Sequence, residues 1–477
     1  MSQPVFAGRP YQRRMTEACI HGDVLLAAPP GLGKTASVLE ALDSLIFDYV
    51  AARQVLVVAP KIVAYDTWPN EIRKWANFQR LTYRVWEAED FGFQVQEVEV
   101  AGVVTGQKMR PSDREGLRAR ILADRSKIHL VSHDNFFHLA VALGKDHWCY
   151  DILVVDESGG FAVQGSHRYE AAKAAVLHVK RRILMNGTPV GNKLEKLWGQ
   201  MCLVDGGEAL GTTLAGFRLR WMKPEKVDRK TRKVHSWLPE EGAVDQIVAA
   251  SRGRLVTLLE KDWLTLPPMV VKEVGVEIPM DQYRKMAREL YLELAPDAAA
   301  LAVNAGVLYN KLSQLACGIV FDQAGAWHEI HRVKIEALLE IVEEHDGPLL
   351  IWTSFAPDMD RIQAVLPGAV RADKVKDLER RWNAGEFRYL LAHPKSLAYG
   401  ANLQDCPGSG MCWFGVTGNA EFWNQGIKRL HRSGRKEPVV NYAIVARGTV
   451  EERMLALRAQ RTALEEDVMD ALAFRPG

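Results

Sequence analysis

Ala27-Ala28-Pro29-Pro30-Gly31-Leu32-Gly33-Lys34-Thr35 is the stretch that decides the fold. An apolar strand-like run, Val24 to Ala27, leads into it, and a helix-like run, Ala36 to Leu45, follows. Strand, glycine-bearing turn and helix in that order make a phosphate-binding loop. Its glycines let backbone N–H groups approach a triphosphate, Lys34 brings a cation to the β- and γ-phosphates, and the Thr35 hydroxyl can ligate Mg²⁺. The segment Pro30-Gly31-Leu32-Gly33 would lie along the phosphates. The pattern is G-x-x-x-x-G-K-[ST] with Ala28 in place of the first glycine. An ordinary glycine-rich turn is the competing reading, and it loses ground once the downstream segments are added.

Short apolar runs recur on either side with helix-length segments between them. Val24–Ala27, Val55–Ala59, Ile128–Val131, Ile152–Val155 and Ile183–Met185 form a first set. Leu349–Trp352, Tyr389–Ala392, Met411–Val416 and Val439–Val445 form a second. Continuous apolar strands alternating with helices predict an α/β fold with parallel sheets covered on both faces. Ligands on such sheets sit at the carboxyl ends of the strands. The middle of the chain lacks this alternation. Helix-like runs there cover Asp281–Leu294 and Leu301–Leu315, after a basic stretch from Lys223 to Pro239. The predicted organisation is a first lobe over 1–203, a helical and basic insertion with linker over 204–265, and a second lobe over 266–477. That second lobe carries a helical protrusion and a terminal helix from Val450 to Leu472 docked on it.

Chemistry clusters at the predicted strand ends. Val154-Val155-Asp156-Glu157 closes a strand with two carboxylates, Asp156 suited to hold Mg²⁺ and Glu157 to orient and deprotonate the attacking water. An acidic N-cap is the bland alternative. Asn186-Gly187-Thr188-Pro189 is a tight turn whose hydroxyl could report hydrolysis, although Gly-Thr-Pro is also an ordinary turn. In Gln425-Gly426-Ile427-Lys428-Arg429-Leu430-His431-Arg432, a helix would stack Gln425, Arg429 and Arg432 on one face and turn Ile427 and Leu430 toward the sheet. Two guanidiniums and an amide suit a γ-phosphate in its transition state; a solvated basic helix face is the alternative.

Composition narrows the classes. The 477 residues exceed one ordinary core, and the hydrophobic share of 48% and charged share of 25% are those of a globular protein. No apolar run approaches the roughly 20 residues of a membrane span, and no signal-peptide pattern opens the chain, so the expected setting is cytoplasmic, without a membrane partner. Six scattered cysteines contain no C-x-x-C pair, which signals neither zinc nor a disulfide framework. The net charge of +2 leaves nucleic acid open. The densest basic stretch is Lys223, Lys226, Arg229, Lys230, Arg232 and Lys233, flanked by Trp221 and Trp237. It reads as a solvated loop diluted by Glu225 and Asp228, or, more sharply, as a contact to duplex phosphates.

The ordered set resembles a superfamily 2 helicase-type motor, and most of all the Swi/Snf-type DNA translocases and helicases in a compact bacterial or phage-like form. Arg9-Pro10-Tyr11-Gln12 is similar to the family's adenine-reading motif, with Gln12 as reader. Val57-Val58-Ala59-Pro60-Lys61 with Trp68 and Trp75 resembles motif Ia, Ser132-His133-Asp134 motif Ib, and Gly400-Ala401-Asn402-Leu403-Gln404 motif V. Gln425 through Arg435 resembles motif VI, and Thr449-Val450-Glu451-Glu452 the closing signature. Three positions depart from the pattern: Gly159 where His or Asp is usual, Lys428 where Gly is usual, and Arg435 where Gln commonly closes motif VI.

The resemblance implies two RecA-like lobes with ATP and Mg²⁺ between them and a nucleic-acid strand across both. It implies nucleotide contacts from Gln12, the loop 30–35, Gly400, Asn402, Arg429 and Arg432, coupling through Gly187 and Thr188, and phosphate contacts from Lys61, Ser132, Thr353, Ser354 and Ser396. Such contacts position without specifying sequence. The expected function is ATP-dependent movement on duplex or branched DNA by a monomer, at forks, junctions or recombination intermediates. An RNA helicase, a nucleotide-gated DNA clamp, and the motor subunit of a larger complex are the alternatives.

Overall fold

The computed structural model describes residues 3–100, 103–111, 113–190, 193–228, 231–232, 234–295, 298–397 and 401–472. The chain forms two compact units, Met1–Trp263 with Glu465–Gly477, and Leu264–Leu464.

The first unit holds strands β1 (Val24–Ala27), β2 (Val55–Ala59), β3 (Tyr83–Trp86), a hairpin of β4 (Phe93–Val100) and β5 (Val103–Pro111), then β6 (Ile128–Ser132), β7 (Ile152–Val155), β8 (Arg181–Asn186), a hairpin of β9 (Met222–Val227) and β10 (Val234–Pro239), and β11 (Leu255–Thr257). Seven of these form one parallel sheet in the order β11-β1-β8-β7-β2-β6-β3. Strands β1, β2, β6 and β7 are buried along their whole length, which is why β1, β2 and β7 read as unbroken apolar runs, while β6 also buries His129 and Ser132. The order decides the site. Strands β1, β8 and β7 are neighbours, so the turns that follow them at 28–33, 187–189 and 156–157 come together although more than 120 positions of sequence separate the first from the others.

Of the segment 204–265, expected as a helical insertion and linker, all but the last two residues lie within this unit. It supplies strand β11, registered on β1 with Leu25 opposite Leu255, and the hairpin β9–β10 carrying the basic stretch. Strand β11 has only three residues, too short for an apolar run to announce it. The end of the terminal helix also belongs here: Met469 packs with Ala27 and Leu259, and Lys261 pairs with Asp470 at 2.7 Å. Docking of that helix on the second lobe therefore holds only for its first part, where Val450 and Met454 join the second unit's core.

The second unit has strands β12 (Met269–Val276), β13 (Tyr291–Ala295), β14 (Ala298–Leu301), β15 (Ile319–Phe321), β16 (Trp327–Glu329), β17 (Leu349–Trp352), β18 (Ala369–Arg371), β19 (Tyr389–Ala392), β20 (Gly410–Trp413) and β21 (Val439–Ala446). Six form a parallel sheet in the order β12-β21-β20-β17-β19-β18. The protrusion corrects the sequence reading. Its first helix, Met280–Glu289, stops at Leu290 in the left-handed region (φ 59°), and Tyr291–Ala295, expected to be mostly helical, pairs with Ala298–Leu301 as a hairpin.

Beneath the motif VI helix Ala420–Ile427, Trp352, Trp413 and Trp423 stack with centroids 5.3 and 4.1 Å apart, and Arg458 lies 3.5 Å above Trp423. A buried ion pair braces the core. Lys334, fully buried, donates to Glu451 Oε1 (2.6 Å) and to the carbonyls of Phe414 and Ile444. Glu451 of the closing signature also accepts from the Ala446 amide, so that motif is a structural clasp.

Candidate nucleotide site and the motif V–VI cluster

The site of the first unit starts with backbone geometry. Gly31 (φ 94°) and Gly33 (φ 77°) sit in the left-handed region, which glycine adopts without steric cost. Gly33 caps the helix Lys34–Asp43, so the helix amides begin where a phosphate would lie. A Cβ at Gly33 would stand 2.3 Å from Gln12 Nε2, which donates to the Leu32 carbonyl at 3.2 Å. Gln12 is thus fastened to the loop, while its Oε1 accepts from the Arg9 amide (2.9 Å). Leu32 is buried, and Thr35 and Pro30 are half-buried. Lys34 is buried, with Nζ reaching back to the Ala28 and Pro29 carbonyls.

The acidic pair divides its labour by environment. Asp156 is buried; its Oδ2 accepts from the Trp68 indole (3.1 Å) and its Oδ1 from the Glu157 amide (3.0 Å). Burial pushes the Asp156 carboxyl above the usual range, against the pull of Lys34 and the indole. His133 faces the Asp156 carbonyl at 2.8 Å, and burial lowers its pKa to about 4, so the ring is neutral and donates there. Glu157 is half-exposed and held at φ 50°, an uncommon backbone state for a residue with a Cβ. The turn after β8 closes the group: Asn186 O accepts from the Ala28 amide (3.0 Å), Asn186 Oδ1 accepts from the Thr188 amide (3.1 Å), and a Cβ at Gly187 would stand 3.3 Å from Pro30 Cδ. Lys34, Thr35, Asp156, Glu157, Gly187 and Thr188 therefore share one end of one sheet.

Sequence reasoning named Trp68 and His133 within motifs without seeing their bonds to Asp156. It missed Gln200, whose only signal is an amide among the apolar residues Leu197 to Val204 of the helix Glu195–Asp205.

The second unit gathers Asn402, Gln425, Arg429 and Arg432; Gly400 lies outside the described residues. The helix ends at Ile427, and Arg429 and Arg432 follow in turns, so the three-residue helical face expected for Gln425, Arg429 and Arg432 does not form. Bonds from the Arg429 amide to Gly426 O (3.1 Å) and from the Leu430 amide to Ile427 O (3.2 Å) tighten the chain out of the helix. Leu430 and Ile427 do pack on the sheet. Gln425 is buried, its Oε1 without a partner among the described residues. Arg429 is buried and donates to Ala401 O (2.9 Å) and Gln425 O (3.1 Å). Arg432, half-exposed, donates to Asn402 Oδ1, and Glu379 holds Asn402 through its amide (2.9 Å). Arg435 is buried and donates to the carbonyls of Gln404, Cys406, Ser409, Glu437 and Pro438, so this departure staples the segment after motif V. Among the expected nucleic-acid contacts, Lys61 and Ser396 are exposed and Ser354 half-exposed. Ser132 is buried, its hydroxyl capping the helix His133–Leu143 at the Asn135 amide, and Thr353 is buried.

A phosphate loop, an acidic pair and the Gly187-Thr188 turn at neighbouring ends of one parallel sheet, with a second parallel-sheet unit carrying motifs V and VI, define a superfamily 2 type ATP-hydrolysing motor. Residues 13–210 match the SNF2-related domain. "Putative protein p41" of Acyrthosiphon pisum secondary endosymbiont phage 1 is 30% identical over 98% of this chain and 99% of its own. The DNA repair and recombination protein RDH54 of Saccharomyces cerevisiae (strain AWRI1631) is 22% identical over 93% of this chain, which spans only 51% of that protein. The Sulfolobus solfataricus SWI2/SNF2 ATPase core in complex with dsDNA has a TM-score of 0.43 at 17% identity, covering 98% of this chain and 93% of that one. The chain belongs to the SNF2-related, Swi/Snf-type family, and is an ATP hydrolase of that kind, built as two RecA-like lobes.

Proposed function

We propose that this chain is a DNA translocase or helicase that couples ATP hydrolysis to movement along the phosphate backbone of duplex or branched DNA. The observation that carries the reading is the convergence of Lys34, Asp156, Glu157 and the Gly187-Thr188 turn at one sheet end, with Arg432 kept half-exposed on the second unit's motif V segment. Among the described residues no three His, Cys, Asp or Glu side chains could hold a metal by themselves. Mg²⁺ would arrive with the nucleotide, held by the Thr35 hydroxyl and, directly or through water, by Asp156; each Asp156 oxygen accepts one hydrogen bond from the described residues and keeps a lone pair. The ion would supply charge neutralisation at the β- and γ-phosphates. Lys34 binds the same oxygens, Glu157 orients and deprotonates water, and Arg432 stabilises the charge that spreads over the γ-phosphate.

The relatedness to a DNA repair and recombination protein supports DNA over RNA, and the match along the whole of a phage protein supports a compact motor working in a host cytoplasm. No described helix is long and apolar enough to cross a membrane. Lys61 and Ser396, both exposed, and half-exposed Ser354 would meet phosphates through their side chains; Ser132 and Thr353 would contribute backbone groups. Steady-state ATP hydrolysis with single-stranded, duplex or branched DNA, or RNA, tests the reading. Stimulation by duplex or branched DNA is expected. Stimulation by RNA alone moves the chain to the RNA helicases, and none by any of them leaves a clamp or a subunit awaiting its partner.

The basic hairpin offers a separate check. Lys223 and Arg232 are exposed, while Arg229, Lys230 and Lys233 lie outside the described residues. Trp221 is buried against Phe217, with Arg220 over its ring, and Trp237 carries Arg218 at 5.3 Å, so core packing and cation–π contacts account for the flanking tryptophans. Neutralising four of the six basic residues is expected to flatten the plot of log K against log salt for duplex binding, by about 0.9 for each phosphate that the hairpin no longer neutralises. An unchanged slope removes the hairpin from the interface.

A further inference from the structure

We propose that Gln200, on the helix Glu195–Asp205 and outside the motifs quoted above, is a positioning residue that fastens the acidic pair to the Asn186–Pro189 turn. The proposal rests on the ATPase reading above and assigns to this residue the link that a side chain at position 159 cannot make.

Gln200 is fully buried, and its amide is bonded at both ends, the single Ser158 hydroxyl proton being shared between Gln200 Oε1 and the Met185 carbonyl (3.1 Å). Oε1 accepts from Asn186 Nδ2 (2.8 Å) and lies 2.8 Å from the Ser158 hydroxyl, the residue next to Glu157. Nε2 donates to the Pro189 carbonyl (2.6 Å) and to Lys196 O one helical turn earlier (2.9 Å). One amide therefore ties the chain after β7, the turn after β8 and its own helix together. Asn186 carries the link onward, since its carbonyl holds the Ala28 amide of the phosphate loop and its Oδ1 the Thr188 amide.

Gly159 is the complement of this arrangement. A Cβ there would stand 2.9 Å from Asn186 Nδ2, so even the first atom of a His or Asp would press Asn186 off Gln200. A second close approach keeps the helix from yielding: a Cβ at Gly199 would lie 2.1 Å from the carbonyl oxygen of Ala162, which caps the turn Ser158–Phe161, so the helix backbone is already against the end of that turn. Buried and bonded at both ends of the amide, such a joint sets the register of Glu157 and the turn relative to the phosphates without touching nucleotide. Its loss falls on turnover rather than on ATP binding.

The test compares Gln200→Leu, Ser158→Ala and the double variant with the parent. Gln200→Leu is expected to lower kcat about tenfold or more while nucleotide affinity stays within about threefold, a split that marks a transition-state effect. The double variant is expected to be within about twofold of Gln200→Leu, because both changes break one joint. A kcat within about twofold of the parent, whatever happens to the melting temperature, overturns the proposal, as do single-variant losses that multiply in the double. Hydrogen exchange over 186–200 with a non-hydrolysed ATP analogue reads the joint without turnover: nucleotide protects the parent and leaves Gln200→Leu unprotected, and equal protection in both overturns the proposal. A parent that hydrolyses nothing removes the motor reading alone, and the exchange measurement then decides Gln200.

Discussion

Glu157→Gln is expected to lower ATP turnover by about 10²–10⁴, the range for removing a positioned general base, while nucleotide and DNA binding persist. The two carboxylates of the pair differ in what they are free to do. Asp156 is buried, with one oxygen on the Trp68 indole and the other on the Glu157 amide, and its displacement would disturb both. Glu157 stands half-exposed at the strand end in a left-handed backbone state that directs its side chain differently from a regular strand continuation. Glutamine keeps the shape and most hydrogen bonding and loses only the basic oxygen, so the loss isolates proton transfer. Phosphate release gives kcat, and a fluorescent nucleotide gives affinity. Turnover within about twofold of the parent would take the general-base role away from Glu157.

The sheets were legible because their physics is local. A parallel strand buried on both faces must be apolar at every position, and Val55–Ala59 and Ile152–Val155 announce themselves in that way. The strands that escaped lack this signature. Tyr83–Trp86 edges the sheet with only Trp86 buried, and Met269–Val276 edges the other with half-buried and exposed residues throughout. The hairpin Tyr291–Leu301 hides in helix-forming alanine and leucine, where pairing between strands overrides local preference.

The site was legible where chemistry is written in consecutive residues, as in Lys34-Thr35 and Asp156-Glu157. It was not legible where the fold joins distant segments. Nothing in the sequence joins Gln200 to Ser158, 42 positions away, or Trp68 to Asp156, 88 away. Spacing also misled: the i, i+4, i+7 reading of Gln425, Arg429 and Arg432 presumed a helix that stops at Ile427. Gly426 packs so closely on the tryptophan stack that a Cβ would meet Trp413 at 2.8 Å.

This ending separates the two arginines, and their variants should part accordingly. Arg432→Ala is expected to lower kcat by about 10³-fold or more, the effect of losing an arginine finger, with thermal stability close to the parent's. Arg432 is half-exposed and donates to the Asn402 side chain, which Glu379 in turn orients, so this guanidinium is less buried than that of Arg429. Arg429 has the opposite environment. It is buried beneath motif V and bonded to the Ala401 and Gln425 carbonyls, so Arg429→Ala strands two buried acceptors and should cost about 1–3 kcal/mol of stability. Its effect on turnover would then follow from a displaced Ala401–Asn402 segment. Melting curves and kcat for both variants decide the matter. A fall in kcat for Arg429→Ala as large as that for Arg432→Ala, at unchanged melting temperature, would mean that Arg429 leaves its buried seat to reach the nucleotide during the cycle. The motif would then supply two fingers instead of one finger and its mount.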